Sequence, residues 1–193
     1  MEWTKENRPK FPDDEDLIRR FKKGDKKAFE SLVKKYFGKV FQLSFSMTRN
    51  RAETEDLTQD IFIKVYTGLA GFRFNSQFGT WLYRIASNHL KDHFRSRSRT
   101  KHVSLDEEIN LFPTETKEAP NEELLKEEKS NLVTKALHQL PRKQQIILTL
   151  RDIQGFSYEE IGKILKISPG TVDSRIHRAR KMLREKLSPF LKG

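Results

Sequence analysis

The stretch from Ser157 to Leu187 constrains the fold most, because it predicts two short helices joined by a tight turn. Ser157 suits the N-cap of the first helix, and Glu160, three residues later, completes a capping box. Ser168 and Pro169 suit the N-cap and first position of the second helix. This pattern is typical of a helix-turn-helix, whose second helix enters a DNA major groove. An ordinary helical hairpin with a charged, solvated face is the alternative.

The second of these helices has two different faces. Apolar residues recur at helical spacing along one face, at Val172, Ile176, Ala179, Leu183 and Leu187. The opposite face is polar and basic and carries Thr171, Asp173, Ser174, His177, Arg178, Lys181 and Arg184. Because several of these side chains can hydrogen-bond to base edges, the pattern favours DNA over simple exposure to solvent.

The chain has 193 residues, a formal net charge of +11 and no cysteine. Positive charge of this size attracts polyanions, so nucleic acid is the first expected partner and a membrane surface the second. No apolar run approaches the roughly 20 residues that span a bilayer, so we expect no membrane insertion. The polar N-terminus does not resemble a signal peptide, and the lack of cysteine excludes disulfides and thiolate chemistry. We therefore expect a cytoplasmic protein.

The hydrophobic pattern predicts an all-α protein in three parts. Residues 13–99 form a helical bundle with helices near 13–23, 26–48, 52–70 and 81–99, and with a loop at 71–80. Residues 100–120 are acidic, contain two prolines and have no periodicity, which is typical of a flexible linker. Residues 121–193 form the helix-turn-helix domain. Its predicted core comprises Leu137, Leu140, Ile146, Ile147, Leu150, Ile161, Leu165, Val172, Ile176 and Leu183.

The loop of the first part is rich in aromatic residues that alternate with arginine, serine and amide side chains. These aromatic residues are Phe72, Phe74 and Phe78, and the next helix adds Trp81 and Tyr83. Such a mixture suits unstacked bases and single-stranded backbone, whereas a helix-turn-helix suits intact duplex. The alternative is that these aromatic residues form core, which we expect of Trp81 and of at least one phenylalanine.

Three strings carry a resemblance to a known family: AETEDLTQDIFIKVY at 52–66, FRFNSQFGTWLYRIASNHLKDHFR at 72–95, and the segment 140–183 that contains the helix-turn-helix. In this order, across a short linker, they resemble an extracytoplasmic-function sigma factor, a two-domain bacterial transcription initiation factor. The resemblance covers nearly the whole chain. It is much more specific than the helix-turn-helix alone.

The resemblance implies three binding surfaces. The clamp of core RNA polymerase would be bound by Asp56, Leu57, Gln59, Asp60, Phe62, Ile63 and Tyr66. The non-template strand of the −10 element would be recognised by Phe72, Phe74, Asn75, Ser76, Phe78, Arg84, Asn88, Lys91 and Asp92. The −35 duplex would be read at base edges by Asp173, Ser174, His177 and Arg178, and its phosphates would be held by Thr171, Arg175 and Lys181. Asp173 departs from the basic or neutral residue expected there. Its carboxylate can only accept hydrogen bonds, for example from a cytosine amino group.

The resemblance also implies the partners: core RNA polymerase, promoter DNA and an anti-sigma factor. On composition alone the linker would be a tether, but the resemblance places it inside the polymerase near the RNA path. We expect no catalytic residue and no cofactor, since the polymerase performs the chemistry. His89 and His93 have a spacing that can bind a metal, but no third ligand and no zinc-peptidase glutamate accompany them, so we expect no metal site.

Two other functions compete with this interpretation. One is a helix-turn-helix regulator that binds duplex without polymerase, with the first domain as a sensor or dimeriser. The other is a protein that binds single-stranded RNA or packages chromatin. Association with core polymerase would exclude the first, and sequence-specific binding would exclude the second.

Overall fold

The computed structural model describes residues 13–100 and 132–190, and every regular element within these two ranges is helical. The all-α prediction is confirmed. Residues 101–120 of the predicted linker and the expected helical start near Leu125 lie outside the described residues. The helices are α1 (Asp14–Lys22), α2 (Lys26–Thr48), α3 (Arg51–Leu69), α4 (Phe78–Thr100), α5 (132–138), α6 (Arg142–Leu148), α7 (Tyr158–Leu165) and α8 (Pro169–Leu187).

Local signals set the ends of the helices in the N-terminal lobe (residues 13–100). Asp25 caps α2 by accepting a hydrogen bond from the Lys27 backbone N–H at 3.0 Å. Asn50 caps α3 in the same way. Gly24 lies between α1 and α2 with a φ of +98°, a conformation that glycine adopts without steric cost. The caps satisfy backbone N–H groups that the first turn of each helix leaves without a partner, and α1 packs against α2 beyond the turn at Gly24.

Helices α2 and α3 form the centre of the N-terminal lobe, and α1 and α4 pack against them. One face of each helix is apolar and buried, as the three- and four-residue spacing predicts. The fully buried side chains include Leu17, Ile18, Leu32, Leu43, Ile61, Leu69, Leu82, Tyr83 and Leu90.

The C-terminal lobe (residues 132–190) contains α5 to α8. All of its predicted core residues are buried except Leu183, which is half-buried. The capping box is present, since the Glu160 N–H donates to the Ser157 hydroxyl at 3.2 Å and the Ser157 N–H donates to the Glu160 carboxylate at 2.8 Å. The turn between α7 and α8 passes through Lys166 in the left-handed region. The predicted helix-turn-helix is therefore present.

One helix boundary differs clearly from the sequence-based expectation. Helix α4 begins at Phe78, three residues before Trp81, because the Trp81 N–H already bonds to the Gln77 carbonyl and Phe78 packs into the core. The loop is therefore shorter than residues 71–80. A π-helical turn, Thr149–Ile153, directly follows α6.

The two lobes touch each other. Helix α4 packs against α7, and α2 packs against α6 and the π-helical turn. Within the described ranges, no helix is long and apolar enough to cross a membrane.

Candidate nucleic-acid interface

Helix α8 presents an exposed polar face. Asp173, Ser174, His177, Arg178 and Lys181 are exposed, and Val172, Ile176 and Ala179 are buried on the opposite side. The outward face predicted from the spacing is therefore the accessible one. Thr171 and Arg175, the two other residues expected at the −35 element, are half-buried.

Hydrogen bonds hold the first turns of α8 in place. The Ser168 hydroxyl accepts from the Thr171 N–H at 3.2 Å and caps the helix. The Ser174 hydroxyl donates to the Thr171 carbonyl at 3.1 Å, and Arg178 donates from Nε to the Ser174 carbonyl at 3.2 Å. Because the terminal guanidinium nitrogens of Arg178 lie beyond that bond, they remain available for a base edge or a phosphate.

The aromatic loop forms one wall of a cavity of about 560 Å³. This volume lies in the range of small-molecule and cofactor sites, roughly 300–1,000 Å³. Phe72, Phe74, Ser76 and Phe78 line the cavity. Asn75 is exposed at the loop but is not part of the lining.

The phenylalanines of the loop differ in burial. Phe72 and Phe78 are buried and pack against Trp81, with ring centroids at 5.1 and 5.9 Å, so they form the cavity wall from within the core. Phe74 is half-buried and has a φ of +58°, which is uncommon for a residue with a side chain. The Arg19 guanidinium lies over its ring at 4.8 Å from the centroid. Phe74 is thus the loop phenylalanine best placed to meet a ligand.

Helix α4 carries the other four residues implied at the −10 element. Asn88, Lys91 and Asp92 are exposed, and Arg84 is half-buried. Although Lys91 as a whole is exposed, its ammonium group is partly shielded from solvent. This desolvation lowers the pKa of the group, and the positive charge of Arg175 on α8 lowers it further, against the effect of Asp92. The charge of Arg175 thus acts on Lys91, although one was expected at the −35 element and the other at the −10 element.

Of the residues on α3 that were expected to contact core polymerase, some are exposed and others are buried. Asp56, Gln59 and Asp60 are exposed, and so are Ile63 at 55% and Tyr66 at 42% of their full accessibility. Leu57 and Phe62, in contrast, are buried and cannot offer a surface to a partner. The expectation of direct contact is wrong for these two, because they lie on the apolar stripe that faces α2.

Sequence reasoning missed part of this exposed surface. The Phe37 ring on α2 stacks on that of Phe62 at 6.0 Å and on that of Phe41 at 6.3 Å, and Phe37 is 41% exposed. An apolar residue of this size at the surface is a signal for a binding site. In the sequence, Phe37 fits the apolar spacing of α2, so the spacing alone does not distinguish it from a core residue.

The two histidines once considered as metal ligands have other partners. His93 Nε2 lies 2.8 Å from the Glu53 carboxylate, and Lys64 Nζ lies 2.7 Å from Nδ1 of His89. Burial is the main reason that the pKa of His89 is lowered, and the Lys64 charge adds to it. Across residues 13–100 and 132–190, no three metal-ligating side chains converge.

Comparison with known protein families matches both lobes. The model for sigma-70 region 2 matches residues 32–100, and that for sigma-70 region 4 matches residues 130–183. The RNA polymerase sigma-H factor of Pseudomonas aeruginosa is 38% identical over 93% of this chain and 96% of its own length. The chain belongs to the extracytoplasmic-function sigma factors. The resemblance stated from the sequence is thereby confirmed.

Other relatives support the same family. The ECF RNA polymerase sigma factor SigW of Bacillus subtilis is 35% identical over 88% of this sigma factor and 94% of its own length. Among solved structures, CnrH in complex with the cytosolic domain of CnrY aligns with a TM-score of 0.66 and 25% identity, over 91% of this chain and 97% of CnrH. The sigma factor RpoE of Bartonella quintana, solved with the anti-sigma factor NepR, aligns with a TM-score of 0.69 and 25% identity, over 84% and 98%.

Membership of this family settles the general function. The sigma factor directs RNA polymerase to promoters, and its relatives are transcription initiation factors. A helix-turn-helix regulator that acts without polymerase is not favoured.

Proposed function

We propose that the two lobes of this sigma factor divide promoter recognition between them. Helix α8 reads the −35 element as duplex, and the aromatic loop with α4 captures the non-template strand of the −10 element once it is open. The exposed end of α3 binds core RNA polymerase. The observation that carries this proposal is the cavity beside the aromatic loop of the N-terminal lobe, which residues of both lobes line, together with the exposed polar face of α8.

At the −35 element, two kinds of contact are expected. Asp173, Ser174, His177 and Arg178 point from the exposed face and contact base edges, while Thr171, Arg175 and Lys181 hold phosphates. The division follows the geometry of a recognition helix, whose N-terminal turns enter the major groove.

At the −10 element, one or two unstacked bases occupy the loop cavity beside Phe74 and Ser76, with Asn75 at its exposed edge. Buried Phe72 and Phe78 support the wall. Arg84, Asn88, Lys91 and Asp92 follow at one face of α4 and guide the strand. Stacking on an aromatic ring stabilises each base by about 1–3 kcal/mol.

These energies explain why polymerase is needed. Opening a duplex costs about 1.4 kcal/mol per base-pair step, so a bubble of about ten steps costs roughly 14 kcal/mol. Two stacked bases return at most about 6 kcal/mol. The rest must come from core polymerase, which is bound through Asp56, Gln59, Asp60, Ile63 and Tyr66. The sigma factor then needs no catalytic residue or cofactor of its own, and it acts in the cytoplasm with the polymerase.

The proposal includes an inhibitory partner. The solved neighbour RpoE is in complex with an anti-sigma factor. We expect a protein of this class to bind the present chain as well, and to compete with core polymerase. Co-purification of the tagged chain from its own host checks this, since an inhibitor should appear in a complex that lacks polymerase.

The proposal is tested by transcription in vitro with purified core polymerase on a library of promoter fragments. Addition of the chain should start transcripts at new sites that share a −10 and a −35 motif. Variant Gln59→Ala with Asp60→Ala should lose binding to core polymerase, whereas Lys27→Ala, exposed on α2, should keep it. Absence of new start sites with the wild-type chain would overturn the proposal.

A further inference from the structure

Two cations of α1 lie near the ring of Phe74 in the aromatic loop. The guanidinium carbon of Arg19 is 4.8 Å from the ring centroid, and the ammonium nitrogen of Lys22 is 5.2 Å from the same centroid. Both distances lie within the range of a cation–π interaction, about 6 Å. Helix α1 therefore supplies positive charge to the loop that we propose as part of the −10 site.

Lys22 also holds the backbone of this loop. Its ammonium group donates a hydrogen bond to the carbonyl of Phe72. Two residues later, Phe74 has a φ of +58°, a strained conformation that persists only where the surrounding structure holds it. The rings of Phe72 and Phe74 pack edge to face, with centroids 5.1 Å apart. Through Phe72, Lys22 thus fixes the position of the Phe74 ring.

Arg19 keeps a hydrogen-bond donor for a ligand. Its Nε and Nη2 nitrogens donate to the carboxylate of Glu15, one turn earlier, and its Nη1 nitrogen makes no hydrogen bond with a described residue. The Arg19 side chain is 61% exposed. Because an exposed ion pair of this kind adds little stability, another anion can replace Glu15. Phosphate is well suited, since its oxygens match the planar guanidinium group.

The charges of α1 are arranged so that a nucleotide has one favourable orientation. Three carboxylates at the start of the helix line the loop cavity, those of Asp13, Asp14 and Glu15. Within the described residues, Arg19 and Lys22 stand outside this lining. The carboxylates repel a phosphate from the cavity, whereas the two cations attract it to the side of Phe74. The base therefore enters the cavity while its phosphate stays outside, beside Arg19.

The helix dipole accounts for only part of this arrangement. Acidic residues in the first turn of α1 and basic residues in its last turn are favoured in any helix. The dipole does not explain why two of the basic side chains meet one ring of another element, or why Lys22 bonds to a loop carbonyl. Proteins that bind single strands commonly combine such a basic track with aromatic rings on which bases stack.

We propose that α1 is a third element of the −10 site, in which Arg19 binds the phosphate of the nucleotide whose base occupies the loop cavity and Lys22 positions the loop. This inference rests on the proposed function of the cavity. It adds a contact that carries no sequence information, while the choice of base stays with the cavity.

An uncharged phosphate substitute tests the contact with Arg19. Holoenzyme made from the full chain and core polymerase binds a promoter fragment whose −10 region is kept open by mismatches. Single methylphosphonate linkages are placed in turn along the non-template strand. Each phosphate contact changes the affinity for a single strand about fivefold per tenfold change in salt. At one linkage, the wild type should therefore lose about fivefold in affinity at 0.1 M salt.

Arg19→Ala should show a different pattern. It should bind the fully charged fragment about fivefold more weakly than the wild type, and it should lose nothing further at that linkage because the contact is already absent. Arg19→Lys keeps the charge and should keep part of the loss at that linkage. Lys22→Met should weaken binding to every fragment by the same factor, as expected of a residue that positions the loop.

Lys23→Ala is the matched control for Arg19→Ala. Lys23 is exposed directly after α1 and carries the same charge, so its loss changes the net charge of the chain equally. This variant should show the same loss at the same linkage as the wild type.

A gain of affinity guards against misfolding of Arg19→Ala. Glu15→Gln removes the anion that pairs with Arg19, so it should bind the fully charged fragment about two- to fivefold more tightly. The gain should vanish when Arg19→Ala is added. Asp16→Asn removes the same charge from an exposed neighbouring site of α1 and should give no such gain.

The outcomes separate this inference from the proposed function. If the wild type starts transcription with core polymerase but Arg19→Ala loses affinity at the same linkages as the wild type, the role of α1 is wrong and the proposed function stands. An equal gain in Glu15→Gln and Asp16→Asn also overturns the role of α1, because it would reflect net charge alone. If the wild type neither starts transcripts nor binds the opened fragment with core polymerase, the proposed function itself fails.

Discussion

At the scale of single residues, substitution of Arg178 distinguishes a contact with a base edge from a contact with a phosphate. It is exposed on α8, one turn after Ser174. If it contacts a base edge, Arg178→Ala should lose about 1–3 kcal/mol of discrimination at one −35 position and little at the others. Binding of the holoenzyme to single-substituted promoters measures this. Uniform weakening over all promoters would instead identify a phosphate contact.

Arg184→Ala is the matched control for that prediction. Arg184 is exposed on the same helix but further from the N-terminal turns that enter a major groove. Its loss should therefore weaken binding equally for every −35 sequence and should reduce the dependence of binding on salt.

His138 should make stability depend on pH. Burial, with the nearby charge of Arg49, lowers the pKa of this imidazole from its ordinary value of 6.5, against the effect of its hydrogen bond to the Phe45 carbonyl. The folded state therefore favours neutral His138, and the unfolded state binds the proton more readily. The resulting stabilisation is complete above pH 6.5 and is lost as pH falls below it.

The measurement is the free energy of unfolding in urea between pH 7.5 and pH 5. Stability should fall as the solution becomes acidic, and His138→Gln should reduce this fall because it removes one titrating group. His89 has a pKa shifted in the same direction, so part of the fall should persist in that variant. An identical pH profile in both proteins would contradict the prediction.

At the scale of elements, the turn between α7 and α8 depends on the small size of Gly162. A Cβ at this position would lie 2.9 Å from the Ile167 carbonyl oxygen, closer than real side chains approach a backbone. Gly162→Ala should therefore destabilise the protein by about 1–3 kcal/mol and tilt α8 relative to α7. Thermal unfolding measures the first effect, and binding to −35 duplex in the holoenzyme measures the second.

Gly170 offers the control for that substitution. It lies in the first turn of α8, and a Cβ there would meet nothing within 4 Å. Gly170→Ala should change stability by less than about 1 kcal/mol, in the stabilising direction, since alanine favours helices. A similar loss of stability in both variants would show that steric contact with Ile167 is not the cause.

Most elements were predictable because their signals are local. Asp25, Asn50, Ser157 and Ser168 each cap a helix through a bond to a backbone N–H two or three residues away. Signals of this kind act within one turn and need no knowledge of the rest of the fold. The start of α4 was misplaced because the early turn at Phe78 is favoured by packing in the core and not by a cap.

At the scale of the whole molecule, the isolated chain should bind promoter duplex weakly without melting it. The bubble costs roughly 14 kcal/mol by the per-step value, and two stacked bases cannot offset it. Permanganate should therefore leave promoter thymines unreactive with the sigma factor alone and modify them once core polymerase is added. Reactive thymines without polymerase would contradict this prediction.

The sequence by itself determined the helices, the helix-turn-helix and the family, because caps, hydrophobic period and motif order are properties of neighbouring residues. Only the tertiary structure decided which predicted residues are accessible: it buried Leu57 and Phe62 of α3 and exposed Phe37. It also placed Gln154 against Tyr83, 71 residues earlier in the chain. Such contacts depend on how two finished surfaces fit in space, and no local pattern in the chain encodes that fit.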